Sequence, residues 1–286
     1  MNSDWRSHAI RLVLLLAVVL IAGGSVAAAD GELTFAVFGD CRPGPNYERL
    51  NVTRHIMNEI AHRQPAFVIG TGDYIEGSTD PQTVRAQYAR FFEALMPLKT
   101  RGLYQREEDI PVALSTGNHD IRGSVANARI FDEYFGGRQY SFDRANCHFI
   151  ILDSEIPGEE GRIKGKQWEW LMSDIAAAQD AGFIFVTLHR PLFPVDGHRG
   201  SSMDVDIPLR DRLHALFVKH QVSAVFMGHE HLYNHSRRDG VDYFITGGAG
   251  APLYASPQDG GYYHYLVATV TNTDYQVNVH PVKVAN

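Results

Sequence analysis

Five short apolar runs, each followed closely by a side chain that can bind a metal ion, constrain the fold of this chain more than any other feature. Apolar runs of this length are typical of strands buried in an α/β protein. The side chains after them then lie at the carboxyl ends of the strands, where open α/β sheets place their chemistry. The runs with the side chains that follow are 33–38 with Asp40, 66–69 with Asp73, 111–114 with Asn118, 183–188 with His189, and 222–227 with His229 and His231.

Segments of helical spacing alternate with these runs, which indicates an α/β architecture. Asp80 followed by Pro81 is typical of a helix start, because the carboxylate caps the helix and proline fits its first turn. Five helices are predicted. One is capped by Asn46 and runs to about residue 63, one begins at Pro81, and three cover 125–134, 167–179 and 208–220. A predicted hairpin joins 139–142 to 147–152, and three further strands are predicted at 243–246, 264–271 and 275–279.

Residues 1–29 have the composition of a secretory signal peptide. Arg6 and Arg11 precede an apolar run over 12–22, and an Ala-x-Ala site ends at Ala29. The rival interpretation is an uncleaved anchor, but the run is shorter than the roughly 20 residues that a spanning helix needs. We predict cleavage after Ala29 and export to the periplasm or the medium. Residues 30–286 would then form one domain with no stable membrane association.

The formal charge of the chain is −7 at pH 7, and its basic residues form no stripe. A nucleic-acid polymer is therefore not expected as a partner, while the sequence leaves the oligomeric state open. Cys41 and Cys147 are the two cysteines, and export would place them in oxidising conditions. Both lie at or inside predicted strands, which favours two free thiols over a disulfide.

The stretches that follow the five runs also have a characteristic order. They are Gly-Asp at Gly39, Gly-Asp at Gly72, Gly-Asn-His-Asp at Gly117, one histidine at position 189, and Gly-His-x-His at Gly228. In this order they resemble the calcineurin-like metallophosphoesterases over most of residues 30–286. The resemblance implies a four-layer double β-sandwich flanked by helices, with two divalent metal ions at the carboxyl edge of the sheets.

The same resemblance assigns the metal ligands. Asp73 would bridge both ions, Asp40 and His231 would complete the first site, and Asn118, His189 and His229 would complete the second. These ligands offer oxygen and nitrogen and no sulfur. Such a set suits manganese, iron or zinc.

The reaction that the resemblance implies is hydrolysis of a phosphomonoester or phosphodiester by a metal-bound hydroxide, because two cations roughly 3.5–4 Å apart acidify a shared water. His119 would protonate the leaving group. Glu76 matches the aspartate of the protein Ser/Thr phosphatases' Gly-Asp-Tyr-Val-Asp-Arg-Gly and would orient His119, with Asp120 as the other candidate. Gly77 replaces the arginine of that stretch, which counts against a protein phosphatase.

The chain departs from the family pattern at Arg42. Most members have Asp-x-His in the first stretch, whereas this chain has Asp40-Cys41-Arg42. Arginine cannot bind a metal because it stays protonated, and the tyrosine that purple acid phosphatases use is replaced by Glu76. Three interpretations stay open: a water fills the gap, the weakened first site binds metal only with substrate, or Arg42 contacts the phosphate itself.

The expected partner is a small-molecule phosphate ester. The loop 193–207 follows His189 and carries His198 and Arg199, which are candidate substrate-binding residues because long loops in compact domains are often functional. A nucleotide or cyclic-nucleotide phosphodiesterase, or a pyrophosphatase, is the alternative enzyme. A phosphate- or metal-binding protein with a decayed first metal site is the non-enzymatic alternative.

Overall fold

The computed structural model describes residues 32–44, 47–98 and 109–283. Two β-sheets pack face to face in this part of the chain. The predicted signal peptide and the predicted helix start at Asn46 lie outside the described residues. No helix within the described ranges has both the length and the apolar character that crossing a bilayer requires.

The first sheet has five strands in the order β11-β10-β1-β2-β3. Its strands are β1 (Leu33–Phe38), β2 (Phe67–Gly70), β3 (Val112–Leu114), β10 (His264–Val270) and β11 (Tyr275–Pro281). The first three are mutually parallel, while β10 and β11 run antiparallel to their neighbours. The parallel strands β1, β2 and β3 therefore direct their carboxyl ends to one edge.

The second sheet has six strands in the order β4-β5-β6-β7-β9-β8. Its strands are β4 (Tyr140–Arg144), β5 (Cys147–Ile151), β6 (Phe183–Thr187), β7 (Ala224–Met227), β8 (Tyr233–Arg238) and β9 (Val241–Thr246). The four central strands are parallel, and the edge strands β4 and β8 are antiparallel to their neighbours. The predicted hairpin is confirmed as β4 and β5, whereas β8 was not predicted.

In the ranges that the structure describes, six α-helices flank the sheets. They are α1 (Leu50–Arg63), α2 (Pro81–Leu95), α3 (Asn118–Ile121), α4 (Val125–Phe135), α5 (Gly165–Ala177) and α6 (Ile207–Lys219). The start of α2 is confirmed, since Asp80 accepts hydrogen bonds from the backbone N–H groups of residues 82 and 83. In contrast, α1 begins at Leu50, four residues after Asn46, which was predicted to cap it, and the short α3 was not predicted.

The core consists of three apolar layers, which confirms the predicted four-layer double β-sandwich. Strand β1 illustrates the arrangement: Phe35 and Val37 point between the two sheets, while Ala36 and Phe38 point towards helices on the outer face. Alternation of this kind follows from the two-residue period of a strand. Helices α1, α2 and α4 cover the first sheet, and α5 and α6 cover the second. Both cysteines are buried and free, as predicted.

Candidate metal centre

The carboxyl ends of parallel strands from both sheets meet at one edge of the sandwich. The first sheet contributes Asp40 after β1, Asp73 after β2 and Asn118 after β3. The second contributes His189 after β6, and His229 and His231 after β7. The Asp40 carboxylate accepts a hydrogen bond from His229 N at 3.0 Å, which ties the two sheets together. The structure thus brings together all six side chains that the sequence selected as metal ligands.

The backbone at these positions is unusual. Asp40, Asp73 and His229 have φ values of 59°, 59° and 72°, which few residues other than glycine adopt. Between the loops after β2 and β3, a Cβ on Gly117 would lie 2.1 Å from Asp73 N, so only glycine allows this approach. Backbone strain of this kind clusters at functional sites.

Asp120 holds the same two loops. Its carboxylate accepts from Asp73 N at 2.8 Å, Tyr74 N at 3.1 Å and Gly117 N at 2.9 Å. Burial, followed by the negative charge of Asp73, raises the pKa of Asp120 to about 8, while its backbone donors act in the opposite direction. These contacts give Asp120 a structural role in positioning Asp73.

Three donor atoms meet at the predicted second metal site, and the Asp73 carboxylate lies beside one of them. Asn118 Oδ1 lies 3.0 Å from His189 Nε2 and 2.8 Å from His229 Nδ1, and the two imidazole nitrogens are 3.2 Å apart. His189 Nε2 is also 3.5 Å from Asp73 Oδ1. The Nδ1 of His189 donates to the Thr71 carbonyl at 2.8 Å, which leaves Nε2 with its lone pair directed at the other donors.

The electrostatic field at this cluster favours a cation. Burial lowers the pKa of His189, but the charges of Asp73, Asp40 and Glu155 outweigh it and raise the pKa. Burial holds the pKa of His229 well below its ordinary value, with repulsion from His189 in the same direction. Oxygen and nitrogen lone pairs crowded beside a buried carboxylate repel one another until a positive charge lies between them. These four residues therefore fit a divalent metal ion.

The residues of the predicted first metal site have a different neighbour. His231 Nε2 lies 3.4 Å from Asp40 Oδ1, and its Nδ1 donates to the Pro252 carbonyl at 2.6 Å, so Nε2 carries the lone pair. The Arg42 guanidinium reaches the same place, with Nη2 3.2 Å from His231 Nε2 and Nε 3.5 Å from Asp73 Oδ2. Because a guanidinium offers no lone pair, these residues do not fit a metal ion in the way that the second set does.

His119 contacts Glu76, although through a different atom from the one predicted. The Nδ1 of His119 donates to the Glu76 backbone carbonyl at 2.8 Å, whereas the Glu76 carboxylate accepts from Gly44 N at 2.8 Å. A carbonyl fixes the imidazole tautomer as a carboxylate would, without adding a negative charge. Burial lowers the pKa of His119; Asp73 acts against this effect and Arg42 adds to it.

The two loop residues proposed for substrate binding differ in position. The His198 ring lies 4.3 Å from the His229 ring, at the edge of the donor cluster. Arg199 is exposed and donates to the Val195 carbonyl at 3.3 Å within its own loop, and no contact among the described residues joins it to the cluster. The sequence therefore located one of the two near the site.

Two residues near the site were not selected from the sequence. Glu230 accepts from the backbone N–H groups of Val195 at 2.9 Å and Asp196 at 2.7 Å, and so holds the loop that carries His198. Tyr254 stacks on His231 at 4.4 Å. Glu230 lies inside the Gly-His-x-His stretch, which could have drawn attention to it, whereas Tyr254 has no local signal.

An open cleft of about 350 Å³ adjoins the cluster on the His119 side. Its lining residues are Asn118, His119, Arg122, Gly123, Glu155, Glu160 and Arg190. Arg190 forms a paired contact with Glu155, at 2.8 Å from each carboxylate oxygen, whereas Arg122 is exposed. The cleft is therefore polar and carries both signs of charge.

Comparisons with known proteins find similarity to phosphoesterases. The family model described as calcineurin-like phosphoesterase matches residues 33–233. A phosphoenolpyruvate phosphatase of Allium cepa is 26% identical over 258 residues, which are 81% of this chain and 49% of that protein. A probable cyclic nucleotide phosphodiesterase of Rhodococcus erythropolis is 29% identical, over 71% of this chain and 61% of that protein. The chain thus spans about half the length of the onion relative.

Among solved structures, the purple acid phosphatase PPD1 from yellow lupin, Lupinus luteus, superposes with a TM-score of 0.70. The match covers 88% of this chain and 52% of the lupin chain, at 16% sequence identity. At this identity the similarity concerns the fold. It agrees with the two-sheet architecture described above.

Proposed function

Because the chain belongs to the calcineurin-like phosphoesterase family, we propose that it hydrolyses small phosphate esters with a divalent metal ion held where the two sheets meet. The observation that carries the proposal is the meeting of Asn118, His189 and His229 donor atoms within 3.2 Å of one another, with the Asp73 carboxylate 3.5 Å from His189. When bound there, a divalent ion would polarise a phosphoryl oxygen and activate a water as the nucleophile.

His119 is the group that we propose moves a proton. Because its Nδ1–H is engaged by the Glu76 carbonyl, Nε2 is the nitrogen left for the substrate. Since His119 lines the cleft beside Asn118, Nε2 can protonate the leaving oxygen of an ester bound there. Because burial lowers the pKa of His119, less of its acid form is present at neutral pH, and its share rises as the pH falls.

The cleft favours a phosphomonoester with a small polar leaving group. Its lining contains two arginines and two glutamates, and His119 is its only ring-bearing side chain among the described residues. A nucleobase is commonly bound by stacking on an aromatic side chain, which this cleft does not offer. The similarity to a probable cyclic nucleotide phosphodiesterase keeps that activity as the second candidate.

Export to the periplasm or the medium is part of the proposal. Its support is the basic, apolar and Ala-x-Ala order of residues 1–29. Expression of the full chain in a bacterial host, followed by cell fractionation and N-terminal sequencing, tests it. We expect a mature chain that begins at Asp30 outside the cytoplasm, and an intact Met1 in the cytoplasmic fraction would contradict export.

The activity is tested by loading the metal-free protein with Mn²⁺, Fe²⁺ or Zn²⁺ and assaying phosphomonoesters, phosphodiesters and pyrophosphate. Hydrolysis should require metal and should be fastest on monoesters. In Asp73→Asn and His229→Ala, both metal retention and hydrolysis should be lost, because each change removes a donor. Asp180→Asn, the same change as Asp73→Asn on an exposed turn, is the matched control and should behave as the wild type.

Three outcomes would contradict the proposal or a part of it. Metal content that stays unchanged in Asp73→Asn and His229→Ala would refute the assignment of the site. Metal that binds normally to the wild type without hydrolysis of any ester would instead favour the non-enzymatic alternative. Faster cleavage of a cyclic nucleotide than of any monoester would select the second candidate.

A further inference from the structure

We propose that Arg42 takes the place of the first metal ion, so that this chain holds a single divalent ion and uses a guanidinium as its second cation. The inference rests on the proposed function and specifies how the same site binds the phosphoryl group. It concerns a difference between this chain and the two-metal arrangement that its sequence resemblance implies. The contacts of Arg42 are the observations that support the inference.

The position of the guanidinium is the first argument. An ion bound to Asp73 Oδ2 and His231 Nε2 would lie about 2.0–2.2 Å from each. Arg42 already has Nε 3.5 Å from the first atom and Nη2 3.2 Å from the second. The guanidinium therefore spans the space between the two ligands. A metal ion placed there would overlap with the guanidinium atoms and would be repelled by their positive charge.

The contacts that fix the guanidinium are the second argument. The backbone N of Arg42 donates to the Asp73 carbonyl at 3.2 Å, which places the start of the side chain beside the cluster. At the far end, Nη2 donates to the Tyr254 hydroxyl at 3.1 Å, and Nη1 lies 3.6 Å from Glu76 Oε2. Only 12% of the side chain is exposed. Arg42 is thus held on several sides.

The chemistry of His231 agrees with this arrangement. Its Nδ1–H is used by the Pro252 carbonyl, so Nε2 must accept, from either a metal ion or a hydrogen-bond donor. Arg42 Nη2 supplies that donor at 3.2 Å. The lone pair that the sequence assigned to a metal therefore has a partner from the protein itself.

The balance of charge is the third argument. One divalent ion and one guanidinium carry as many positive charges as the carboxylates of Asp40, Asp73 and Glu76 carry negative ones. A second divalent ion would add two positive charges beside Arg42, and no further carboxylate among the described residues contacts the guanidinium. Repulsion at such distances is strong in a buried site.

The position of Arg42 beside His119 indicates what the guanidinium does in the reaction. Arg42 Nη1 lies 3.4 Å from His119 Nδ1. This contact is not a hydrogen bond, because that Nδ1–H is already donated to the Glu76 carbonyl. The guanidinium charge therefore lies beside the imidazole that serves the leaving oxygen, and we infer that it contacts the phosphoryl group, because an arginine suits phosphate oxygens well.

The test is the Mn²⁺ content of the full chain, read by elemental analysis and by electron paramagnetic resonance. Metal-free protein is loaded with excess Mn²⁺ and desalted. We expect the wild type to keep one equivalent, with the spectrum of an isolated ion. Arg42→His should keep two, with the spectrum of a spin-coupled pair, because the imidazole supplies a donor and removes the competing charge.

Two further variants serve as controls. Arg129→His makes the same change on the exposed face of α4 and should keep one equivalent, which excludes an effect of any added imidazole. Arg42→Leu removes the charge without adding any donor atom and should also keep one after desalting. A second equivalent in either control would overturn the assignment of the gain to the donor at position 42.

The inference and the proposed function fail in different ways. Two spin-coupled equivalents in the wild type would overturn the inference, even for an enzyme that hydrolyses esters. One retained equivalent in a folded Arg42→His would also overturn it, whereas a variant that does not fold leaves the wild-type count to decide. One equivalent in the wild type without hydrolysis would instead refute the proposed function alone.

Discussion

His264 is buried without a charge, and we predict that it makes the folded protein less stable in mild acid. The ring lies against Gly248, and Nδ1 donates to the Tyr262 carbonyl at 2.8 Å. Among the described residues, Nε2 has no hydrogen-bond partner. Burial lowers the pKa of His264 from its ordinary 6.5 to about 4, although the contact with Tyr262 and the charge of Asp40 act in the opposite direction.

The sign and size of the effect follow from these values. Above pH 6.5 the imidazole is neutral in both the folded and the unfolded chain, so it does not oppose folding. Between pH 6.5 and about 4 the unfolded chain takes up a proton that the folded chain does not, and the free energy of unfolding falls. At about 1.36 kcal/mol per pH unit, the loss is about 2 kcal/mol at pH 5 and approaches about 3 kcal/mol at lower pH.

Urea unfolding at pH 8 and pH 5 in the presence of a chelator measures this loss without the pH dependence of metal binding. His264→Asn keeps an N–H for the Tyr262 carbonyl and does not titrate. The variant should therefore lose about 2 kcal/mol less than the wild type between the two pH values. His55→Asn on the exposed face of α1 is the matched control. Equal losses in wild type and His264→Asn would refute the reasoning.

Three further predictions concern the site. His119→Ala should lower turnover of alkyl phosphates by about 10²–10⁴-fold and should affect turnover of nitrophenyl phosphate much less, with metal content unchanged. An equal loss on both esters would exclude His119 as a general acid. Because burial lowers the pKa of His119, the wild-type rate on alkyl esters should fall as pH rises through a value below 6.5. Glu230→Ala should release the loop at 193–202, so limited trypsin digestion should cut faster at Arg199 and KM should rise with metal content unchanged. An unaltered cleavage rate would contradict the anchoring role of Glu230.

The fold was largely predictable because its central strands are buried on both faces. Such strands are short apolar runs, and each of the five selected runs corresponds to a strand of the structure. The edge strand β8 was missed because its sequence, Tyr-Asn-His-Ser-Arg-Arg, is polar and mostly half-buried or exposed. The start of α1 was placed too early because Asn46 looked like a cap, whereas Arg49 precedes the helix without a side-chain cap.

The candidate site was predictable in its residues but not in its contacts. Short stretches located the six donors and His119, since each lies next to a recognisable strand end. The contact of Arg42 with Tyr254 joins positions 212 residues apart, and no local pattern reveals such a pair. Glu76 shows the same limit at closer range: its position was selected correctly, but whether its carbonyl or its carboxylate meets His119 depends on the turn of the backbone.

The origin of the donors in both sheets has a consequence for when the ion can bind. Asp73 and Asn118 belong to the first sheet, while His189 and His229 come from the second and are made much later in synthesis. No fragment that ends before residue 229 holds the four donors, so an ion held by all of them would be acquired after the two sheets have docked. The identity of that ion would then depend on the ions available where folding finishes. For a chain that crosses a membrane unfolded, that place is the destination compartment, and the cytoplasmic ion pool has no influence on the choice.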